Sequence, residues 1–235
     1  MRIIIDTDPG TDDAVAILIA LAHFSDEEIL GITTVAGNVG VKVGTINALR
    51  VLEQAGRNNI KVYEGEKSPL KRDLVTAEWV HGTDGLGGVP FPQPSKTEED
   101  LDAVSFLKDA ISNSAEKVTL CVLGPMTNIG KAISEMPEIT KNIDQIVFMG
   151  GSATSGNTTP VAEFNILVDP DATHIVLQSG VKLVMMGLDV THQAISTSSR
   201  IQNISDTKTK TAELLVGLMS RLANLEIVKK KLDRK

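Results

Sequence analysis

Short apolar runs alternate along this chain with longer segments whose apolar residues recur at helical spacing. The β-branched run Ile3 to Ile5 predicts a buried first strand, and Pro9-Gly10 ends it. From Thr11 onward, apolar residues recur at intervals of three and four, which predicts a helix with Thr11 as its N-cap. A strand end is therefore expected to meet a helix start close to the amino terminus.

The same alternation continues along most of the chain. It predicts further strands over 29–35, 60–63, 118–123, 143–149 and 181–186. It predicts further helices over 43–56, 101–112, 128–133, 171–178 and 211–232. In the helix over 43–56, the residues expected to face inward are Val43, Ile46, Leu49, Leu52 and Ala55. Because alternating strands and helices form βα units, we expect an α/β fold with a mainly parallel open sheet and helices on both faces, built as a single domain by residues 1–235.

Two stretches interrupt the rhythm, and the tail has its own pattern. Residues 67–95 are rich in Pro, Gly and polar residues and are too long for a simple connection, so we expect a lid over the ligand crevice. Residues 150–160 form a second polar loop, and both loops are expected at the carboxyl end of the sheet.

The final helix carries a leucine stripe that favours a core face or a subunit contact, followed by a solvated basic end at 229–235. The stripe consists of Leu214, Leu218, Leu222 and Leu225.

Composition narrows the class of partner. A net charge of -7 argues against nucleic acid or an anionic membrane surface and favours a small-molecule substrate. Cys121 is the only cysteine, so there is no disulfide framework and no thiolate cluster for a metal. The chain enters its first strand without a leader and has no apolar run long enough to span a bilayer, so we expect a cytoplasmic protein.

Four carboxylates, Asp6, Asp8, Asp12 and Asp13, stand where the first strand meets the first helix. Asp12 and Asp13 would gain from the helix dipole, and Asp8 before Pro-Gly suits a turn, so part of the cluster needs no functional explanation. Asp6 and Asp8, however, are two residues apart on a strand and should point the same way, which crowds two like charges unless a cation, a proton or a sugar hydroxyl compensates. Oxygen ligands of this kind suit calcium or magnesium rather than zinc.

A series of motifs in order resembles one known family, the inosine/uridine-preferring nucleoside hydrolases. The first is Asp6-Thr7-Asp8-Pro9-Gly10-Thr11-Asp12-Asp13-Ala14. The others are the blocks at 35–38 (VAGN), 123–128 (LGPMTN), 148–151 (FMGG), 156–157 (GN), 162–166 (AEFNI) and 188–192 (LDVTH). The resemblance runs from residue 2 to about residue 200, and such a collinear series is far more specific than any one motif.

The resemblance implies a calcium-assisted hydrolysis of the N-glycosidic bond of ribonucleosides. It implies a calcium ion held by Asp8, Asp13 and the carbonyl of Leu123, with Asp8 as the base that takes a proton from the attacking water. The attack falls on C1′ of the ribose, and the bond breaks through an oxocarbenium-like state. The expected products are ribose and a free nucleobase.

The resemblance also implies a set of substrate contacts. Asp12 and Asn38 would contact the ribose hydroxyls near the metal, while Asn157, Glu163 and Asn165 would hold the 3′ and 5′ hydroxyls. From the residues alone, Asn38 and Asn157 could equally be turn residues, and Glu163 and Asn165 could be the polar face of an edge strand. His81 is a candidate contact for the leaving base, although a loop histidine is more often solvated.

The chain departs from the family after residue 200. Family members normally continue into a segment that typically contains His-Asp-Pro and supplies another metal-binding aspartate and a histidine for the leaving base. This chain has no histidine after His192, and Asp206 and Asp233 stand in different contexts. We therefore expect weak metal binding, low or absent hydrolysis, and association into a homo-oligomer through the shortened sheet and the leucine-striped helix.

Two other functions remain open at this point. A catalytically inactive ribose- or nucleoside-binding paralogue would keep the sugar contacts without turnover. A haloacid-dehalogenase-like phosphohydrolase also places Asp-x-Asp after its first strand. That class has later motifs with a lysine and with a pair of acidic residues, and this sequence contains no convincing counterpart of them.

Overall fold

The computed structural model describes residues 1–232, without the side chains of Leu222 and of residues 224–232. The side chains of Leu222 and Leu225 and the basic end at 229–235, for which the sequence made predictions, therefore lie outside the described part. One six-stranded sheet runs through the structure, in the order β3-β2-β1-β4-β5-β6. Its strands are β1 (Arg2–Thr7), β2 (Ile29–Thr34), β3 (Val62–Glu64), β4 (Val118–Val122), β5 (Ile143–Met149) and β6 (Leu183–Met186). Every neighbouring pair is parallel, which confirms the predicted α/β class.

The helices fill the connections between strands. They are α1 (Thr11–His23), α2 (Val41–Gln54), α3 (Glu78–His81), α4 (Ala103–Asn113), α5 (Thr127–Glu135), α6 (Phe164–Val168), α7 (Pro170–Leu177), α8 (Leu188–Thr191), α9 (Ser198–Ser205) and α10 (Lys210–Leu232), with a 3₁₀ helix over Pro137–Asn142. The elements that the sequence did not predict are α3, α6, α8, α9 and the 3₁₀ helix. All of them have eight residues or fewer, too short to show a helical period. In the described part, no helix combines the length and the apolar character needed to cross a membrane.

Each face of the sheet carries its own apolar core. Ile3 and Ile5 of β1 pack with α1, α2 and α10 on one side, whereas Ile4 packs with α4, α5 and α7 on the other. Successive side chains of a strand point to opposite faces, so a run of three isoleucines is what a strand buried on both sides requires. The prediction of helices on both faces is therefore confirmed.

Two details of the helix predictions are wrong. Gly10, not Thr11, is the N-cap of α1, and Thr11 is the first helical residue. In α2, Ile46 is exposed rather than inward. Leu49 and Leu52 are buried as predicted, but the buried face of α2 also includes the polar residues Thr45 and Asn47, whose side chains bond to neighbouring segments. The apolar pattern alone therefore indicated only part of that face.

The strand order places a crevice between β1 and β4. The chain moves from β1 outward through β2 to β3, then crosses back to β4 and continues outward to β6. In open parallel sheets, ligands bind beyond the carboxyl ends of the strands where the order reverses. Here that position lies between the loop after Thr7 and the loop after Val122.

We predict that Gly130→Ala destabilises the protein by about 1–3 kcal/mol, although alanine is the better helix former. A Cβ at Gly130 of α5 would lie 2.8 Å from the Cα of Ala172 in α7, which is backbone and cannot move aside cheaply. Urea denaturation measures the effect. The control is Ser134→Ala on the exposed side of α5, expected to change the free energy of unfolding by less than about 0.5 kcal/mol. Equal stability of Gly130→Ala and the parent would contradict this packing.

Candidate active site

Three loops meet at the carboxyl end of the sheet and bring most of the predicted site residues together. Asp8 follows β1, Asn38 follows β2, and Leu123 follows β4. The amide of Leu123 donates to the carbonyl of Asp6 at 2.7 Å, which joins the ends of β4 and β1. The site therefore lies at the reversal point of the strand order.

Asp8 and Asp13 are buried carboxylates joined through Asn38. The backbone amide of Asn38 donates to Asp8 Oδ2 at 2.7 Å, and its side-chain Nδ2 donates to Asp13 Oδ2 at 3.1 Å. Thr7 Oγ1 donates to Asp13 Oδ1 at 2.7 Å, and the amide of Gly10 donates to Asp13 Oδ2 at 3.1 Å. Asp13 thus has partners on both oxygens and is held in one orientation at the start of α1.

Asp8 Oδ1 is different, because it is buried and has no hydrogen-bond partner in the described part of the chain. Two glycines leave the space that this carboxylate occupies. A Cβ at Gly37 would overlap Asp8 Oδ2, and a Cβ at Gly124 would lie 2.6 Å from Asp8 Oδ1. An unpaired buried carboxylate oxygen is costly, so this arrangement suits a charged or strongly polar ligand.

Burial raises the pKa of both carboxyl groups. Desolvation, followed by the charge of Asp13, raises the pKa of Asp8 well above its ordinary value. Desolvation and the charge of Asp12 raise the pKa of Asp13 to about 7. Such shifts mark groups that lack a compensating positive charge nearby, and they cluster at functional sites.

Asn165 and Glu163 lie at the start of the short helix α6, so the alternative that they form the polar face of an edge strand is excluded. Asn165 Nδ2 donates to the carbonyl of Leu123 at 2.7 Å and to that of Met149 at 3.1 Å, which fixes the loop after β4 against the end of β5. Glu163 Oε2 caps the helix and accepts from the amide of Gly151 at 3.1 Å. Desolvation raises the pKa of Glu163.

His81 is buried at the end of α3, within the loop that the sequence predicted as a lid. A Cβ at Gly10 would lie 2.7 Å from His81 Nδ1 and 2.8 Å from Asn38 Nδ2, so the imidazole and the Asn38 amide flank the same glycine. Burial lowers the pKa of His81, and the Asp12 carboxylate opposes that shift. The solvated loop histidine that the residues alone would favour is therefore not what the structure shows.

Asp12 and Asn157 are less closely joined to the cluster. The Asp12 side chain is 67% exposed, and its Oδ1 lies 3.8 Å from His81 Nδ1. Asn157 is exposed, and its Oδ1 accepts from the amide of Phe164 at 2.9 Å, which folds the loop after β5 onto α6. Neither residue has a hydrogen bond to Asp8 among the described contacts.

Asp6 belongs to a different network from Asp8, contrary to the expectation that the two crowd one site. Its Oδ1 accepts from Thr33 Oγ1 at 2.6 Å and from Asn128 Nδ2 at 2.8 Å. The charges that raise the pKa of Asp8 are those of Asp13 and Asp12, not that of Asp6. Asp6 follows Ile4 in the strand alternation and so faces α5, whereas Asp8 lies past the end of the strand.

Asn128 ends the motif at 123–128, and the sequence did not indicate a role for it. In the structure it is a structural residue. It is fully buried, and besides Asp6 its Nδ2 donates to the carbonyl of Thr34 at 2.9 Å. Its Oδ1 accepts from the amide of Glu66 at 2.9 Å. One amide side chain therefore holds β1, β2 and the segment after β3 in register, close to the loops that carry Asp8 and Asn38. An asparagine directly before an apolar helical residue gave no signal of such a role.

The chemistry of the donor set fits a hard cation. Asp8 offers an unpartnered oxygen, Asp13 a second carboxylate, and Leu123 a carbonyl, and oxygen ligands of this kind suit calcium. Within the residues that the structure describes, no group of three His, Cys, Asp or Glu side chains is placed to hold a metal. Asp8 and Asp13 are the two carboxylates that could contact a cation there, and the charge of the exposed Asp12 also acts on both of them.

Comparison with known proteins assigns the chain to a family. A sequence model described as inosine-uridine preferring nucleoside hydrolase matches residues 3–233, so the chain belongs to this family. Two solved structures are similar to it over nearly its whole length. A purine-preferring ribonucleoside hydrolase from Gardnerella vaginalis has a TM-score of 0.90 and 35% identity, with 94% of this chain and 72% of that chain covered. A plant nucleoside hydrolase has a TM-score of 0.89 and 35% identity, with 95% and 71% covered.

Curated sequences give the same family and also show a difference in length. An uncharacterised protein of Schizosaccharomyces pombe is 49% identical over 203 residues, which cover 86% of this chain and 65% of that protein. A pyrimidine-specific ribonucleoside hydrolase RihA of Shewanella baltica is 43% identical over 218 residues, which cover 93% and 68%. The chain thus spans about two thirds of the length of the curated relatives that it matches. Membership in this family removes the support for a haloacid-dehalogenase-like phosphohydrolase.

We predict that Asn128→Ala lowers the free energy of unfolding by about 3 kcal/mol, because it removes three hydrogen bonds that one fully buried side chain makes to three segments. The lost bonds are those to Asp6 Oδ1, which keeps its bond from Thr33, to the Thr34 carbonyl and to the Glu66 amide. Asn113→Ala is the matched control, since its Nδ2 donates to Asp109 Oδ1 on the exposed side of α4 and its loss should cost less than about 0.5 kcal/mol. Guanidinium denaturation of both variants measures the difference, and equal effects would contradict the role given to Asn128.

Proposed function

We propose that this protein hydrolyses the N-glycosidic bond of ribonucleosides to ribose and a free nucleobase, with Asp8 as the general base. The observation that carries the proposal is the buried, unpartnered Oδ1 of Asp8, enclosed by two glycines at the reversal point of the sheet. Burial and the neighbouring charge of Asp13 raise the pKa of Asp8 where no cation compensates, so this carboxyl group favours a bound cation or a proton. Membership in the nucleoside hydrolase family supports the reaction.

We propose calcium as the cofactor, held by Asp8, Asp13 and the carbonyl of Leu123. When bound, the cation supplies Lewis-acid polarisation of the attacking water and a positive charge for ribose hydroxyls. Asn165 supports this assignment, because its Nδ2 orients the Leu123 carbonyl. With two carboxylates described at the site, we expect weak affinity, since the affinity of calcium sites follows ligand charge and rigidity.

The proton transfer and the nearest ribose contacts are assigned to side chains of this protein. Asp8 takes the proton of the attacking water, and the Asn38 amide at 2.7 Å keeps its Oδ2 fixed so that Oδ1 faces the reacting atoms. Asp12 and Asn38 contact the ribose hydroxyls nearest the cation. Carboxylates near C1′ stabilise the positive charge that develops there as the bond breaks.

The far side of the ribose is assigned to the loop after β5 and to α6. Asn157, Glu163 and Asn165 contact the 3′ and 5′ hydroxyls. Since Glu163 Oε2 and Asn165 Nδ2 already have protein partners, Glu163 Oε1 and Asn165 Oδ1 are the atoms offered to the substrate. His81, the last residue of α3, lies with its ring against the start of α1 and contacts the leaving base. The relatives' names differ in base preference, so the proposal is for ribonucleosides as a class.

One alternative is favoured by a specific observation: in the described part of the chain, no group of three His, Cys, Asp or Glu side chains is placed to hold a metal. A protein that binds ribose or a nucleoside without turnover needs the sugar contacts and not full activation of water. The same assay separates the two functions, because such a protein would bind a nucleoside in calorimetry and release no base. The expected homo-oligomer and the single domain over residues 1–235 stay predictions of the sequence.

We predict that the protein releases free ribose from inosine or uridine and that Asp8→Asn lowers kcat by at least about 100-fold. The amide keeps the shape of the side chain but cannot accept the proton from water. Asp144→Asn, the same change at an exposed residue of β5, is the control and should leave kcat within about twofold. Release of ribose is measured with a reducing-sugar assay in phosphate-free buffer. Formation of ribose 1-phosphate only when phosphate is added would contradict hydrolysis.

We predict that Asp13→Asn weakens calcium binding at least about tenfold, because it removes one of two anionic ligands. Titration calorimetry at pH 8 measures this change in the absence of nucleoside, and Asp144→Asn is again the matched control. At saturating calcium the parent should turn over at less than about 1 per second, below the median near 10 per second for enzymes. Equal calcium affinity in parent and Asp13→Asn would contradict the ligand assignment, and turnover near the median would contradict the expected impairment.

A further inference from the structure

The ring of His81 is held at the amino-terminal end of α1 by a single residue. The backbone amide of Thr11 lies 3.2 Å from His81 Nδ1, and Thr11 Oγ1 lies 3.0 Å from the same nitrogen. Thr11 is fully buried and His81 nearly so, so water does not compete strongly for these contacts. The first amides of a helix have no partner within the helix, and here the Thr11 amide finds one in the imidazole.

The chemistry of these two donors fixes where the ring carries its proton. A backbone N–H can only donate, so Nδ1 accepts, and the Thr11 hydroxyl, which could donate or accept, must then donate as well. A neutral imidazole has one N–H, which therefore lies on Nε2. An imidazolium would direct an Nδ1 proton at the Thr11 amide proton, and the positive end of the α1 dipole opposes it further.

We propose that Thr11 fixes His81 as the neutral Nε2–H tautomer, so that His81 acts as a hydrogen-bond donor to the nucleobase and Thr11 is a positioning residue for it. The part that concerns the nucleobase rests on the proposed function. The group recognised is an acceptor on the base, a carbonyl oxygen or an unprotonated ring nitrogen. His81 then stabilises the departing base through a hydrogen bond that strengthens as negative charge builds on it.

The opposite tautomer has a potential partner of its own. Asp12 Oδ1 lies 3.8 Å from Nδ1 and would accept from an Nδ1–H. That distance is longer than a hydrogen bond, and Asp12 is largely exposed, whereas both Thr11 atoms are within bonding distance.

The position of the ring depends on Gly10, where a Cβ would lie 2.7 Å from Nδ1. The carbonyl of His81 also accepts from the amide of Gly87 at 2.7 Å, which holds the loop around the ring.

Nitrogen NMR of the ¹⁵N-labelled full chain, free of nucleoside and at pH 8, tests the tautomer directly. The resonances of His81 are assigned by their loss in His81→Gln, which separates them from the other three histidines. We expect a pyridine-like Nδ1 and a pyrrole-like Nε2. A pyrrole-like Nδ1 in the parent would overturn the proposal.

Variants at Thr11 test its part in fixing the tautomer. Thr11→Val keeps the shape and the backbone amide but removes the hydroxyl, which is one of the two donors to Nδ1. With one donor left, the preference for the Nε2–H form should weaken, and the Nδ1 shift should move part of the way toward the pyrrole-like range. Thr11→Ser keeps both donors and should restore the shifts of the parent. Thr197→Val, which removes the hydroxyl that caps α9 on the exposed surface, is the control and should not move them. Unchanged His81 shifts in Thr11→Val would overturn the role of the Thr11 side chain and leave the tautomer to the backbone amide.

Kinetics then connect the tautomer to the reaction. If the parent hydrolyses nucleosides, Thr11→Val should lower kcat about fivefold, the loss of one hydrogen bond, with little change in KM, and Thr11→Ser should recover it. A change confined to KM would overturn the role of His81 as a donor to the departing base. If the parent shows the expected shifts but releases no base, the proposed function fails while the tautomer assignment stands.

Discussion

A buried carboxylate with one satisfied oxygen is the constraint on which the rest of this site depends. Asp8 Oδ2 accepts from the Asn38 amide at 2.7 Å, while Oδ1 is enclosed without a described partner. Burying such a group costs several kcal/mol unless a proton or a cation compensates. The fold positions this carboxylate through three neighbouring strand ends, two glycines that leave room for it, and an asparagine that holds the strands in register.

The fold could be predicted from the sequence because its central strands are buried on both faces. The isoleucine run of β1 and the apolar run of β5 stand out from the polar turns around them, and the predicted bounds of β5 agree with the structure. The short helices could not be predicted, since a helix such as α6 has five residues and is held by the Glu163 cap rather than by an apolar stripe. The buried face of α2 was predicted only in part for a related reason: Asn47 is buried by its bonds to the carbonyls of Pro9 and Asp84, not by hydrophobicity.

For the candidate site, the motifs indicated which residues lie close together but not all of their contacts. Asn38 is hydrogen-bonded to Asp8 and to Asp13, because parallel strands end at the same edge of the sheet. The strand alternation wrongly indicated that Asp6 and Asp8 point the same way. Asp8 lies beyond the last residue of β1, so the two side chains do not share a direction. The pairing of Thr11 with His81 spans 70 residues and depends on how the long loop folds back, which no local pattern encodes.

The proposed function therefore depends on Asp8 Oδ1 being a cation ligand. A crystal structure grown in ample calcium tests this assignment most directly, because it locates the ion independently of turnover. We predict one ion within about 2.6 Å of Asp8 Oδ1, shared with Asp13 and the Leu123 carbonyl. An empty position at Asp8 in such crystals, or an ion bound against the histidines instead, would contradict it.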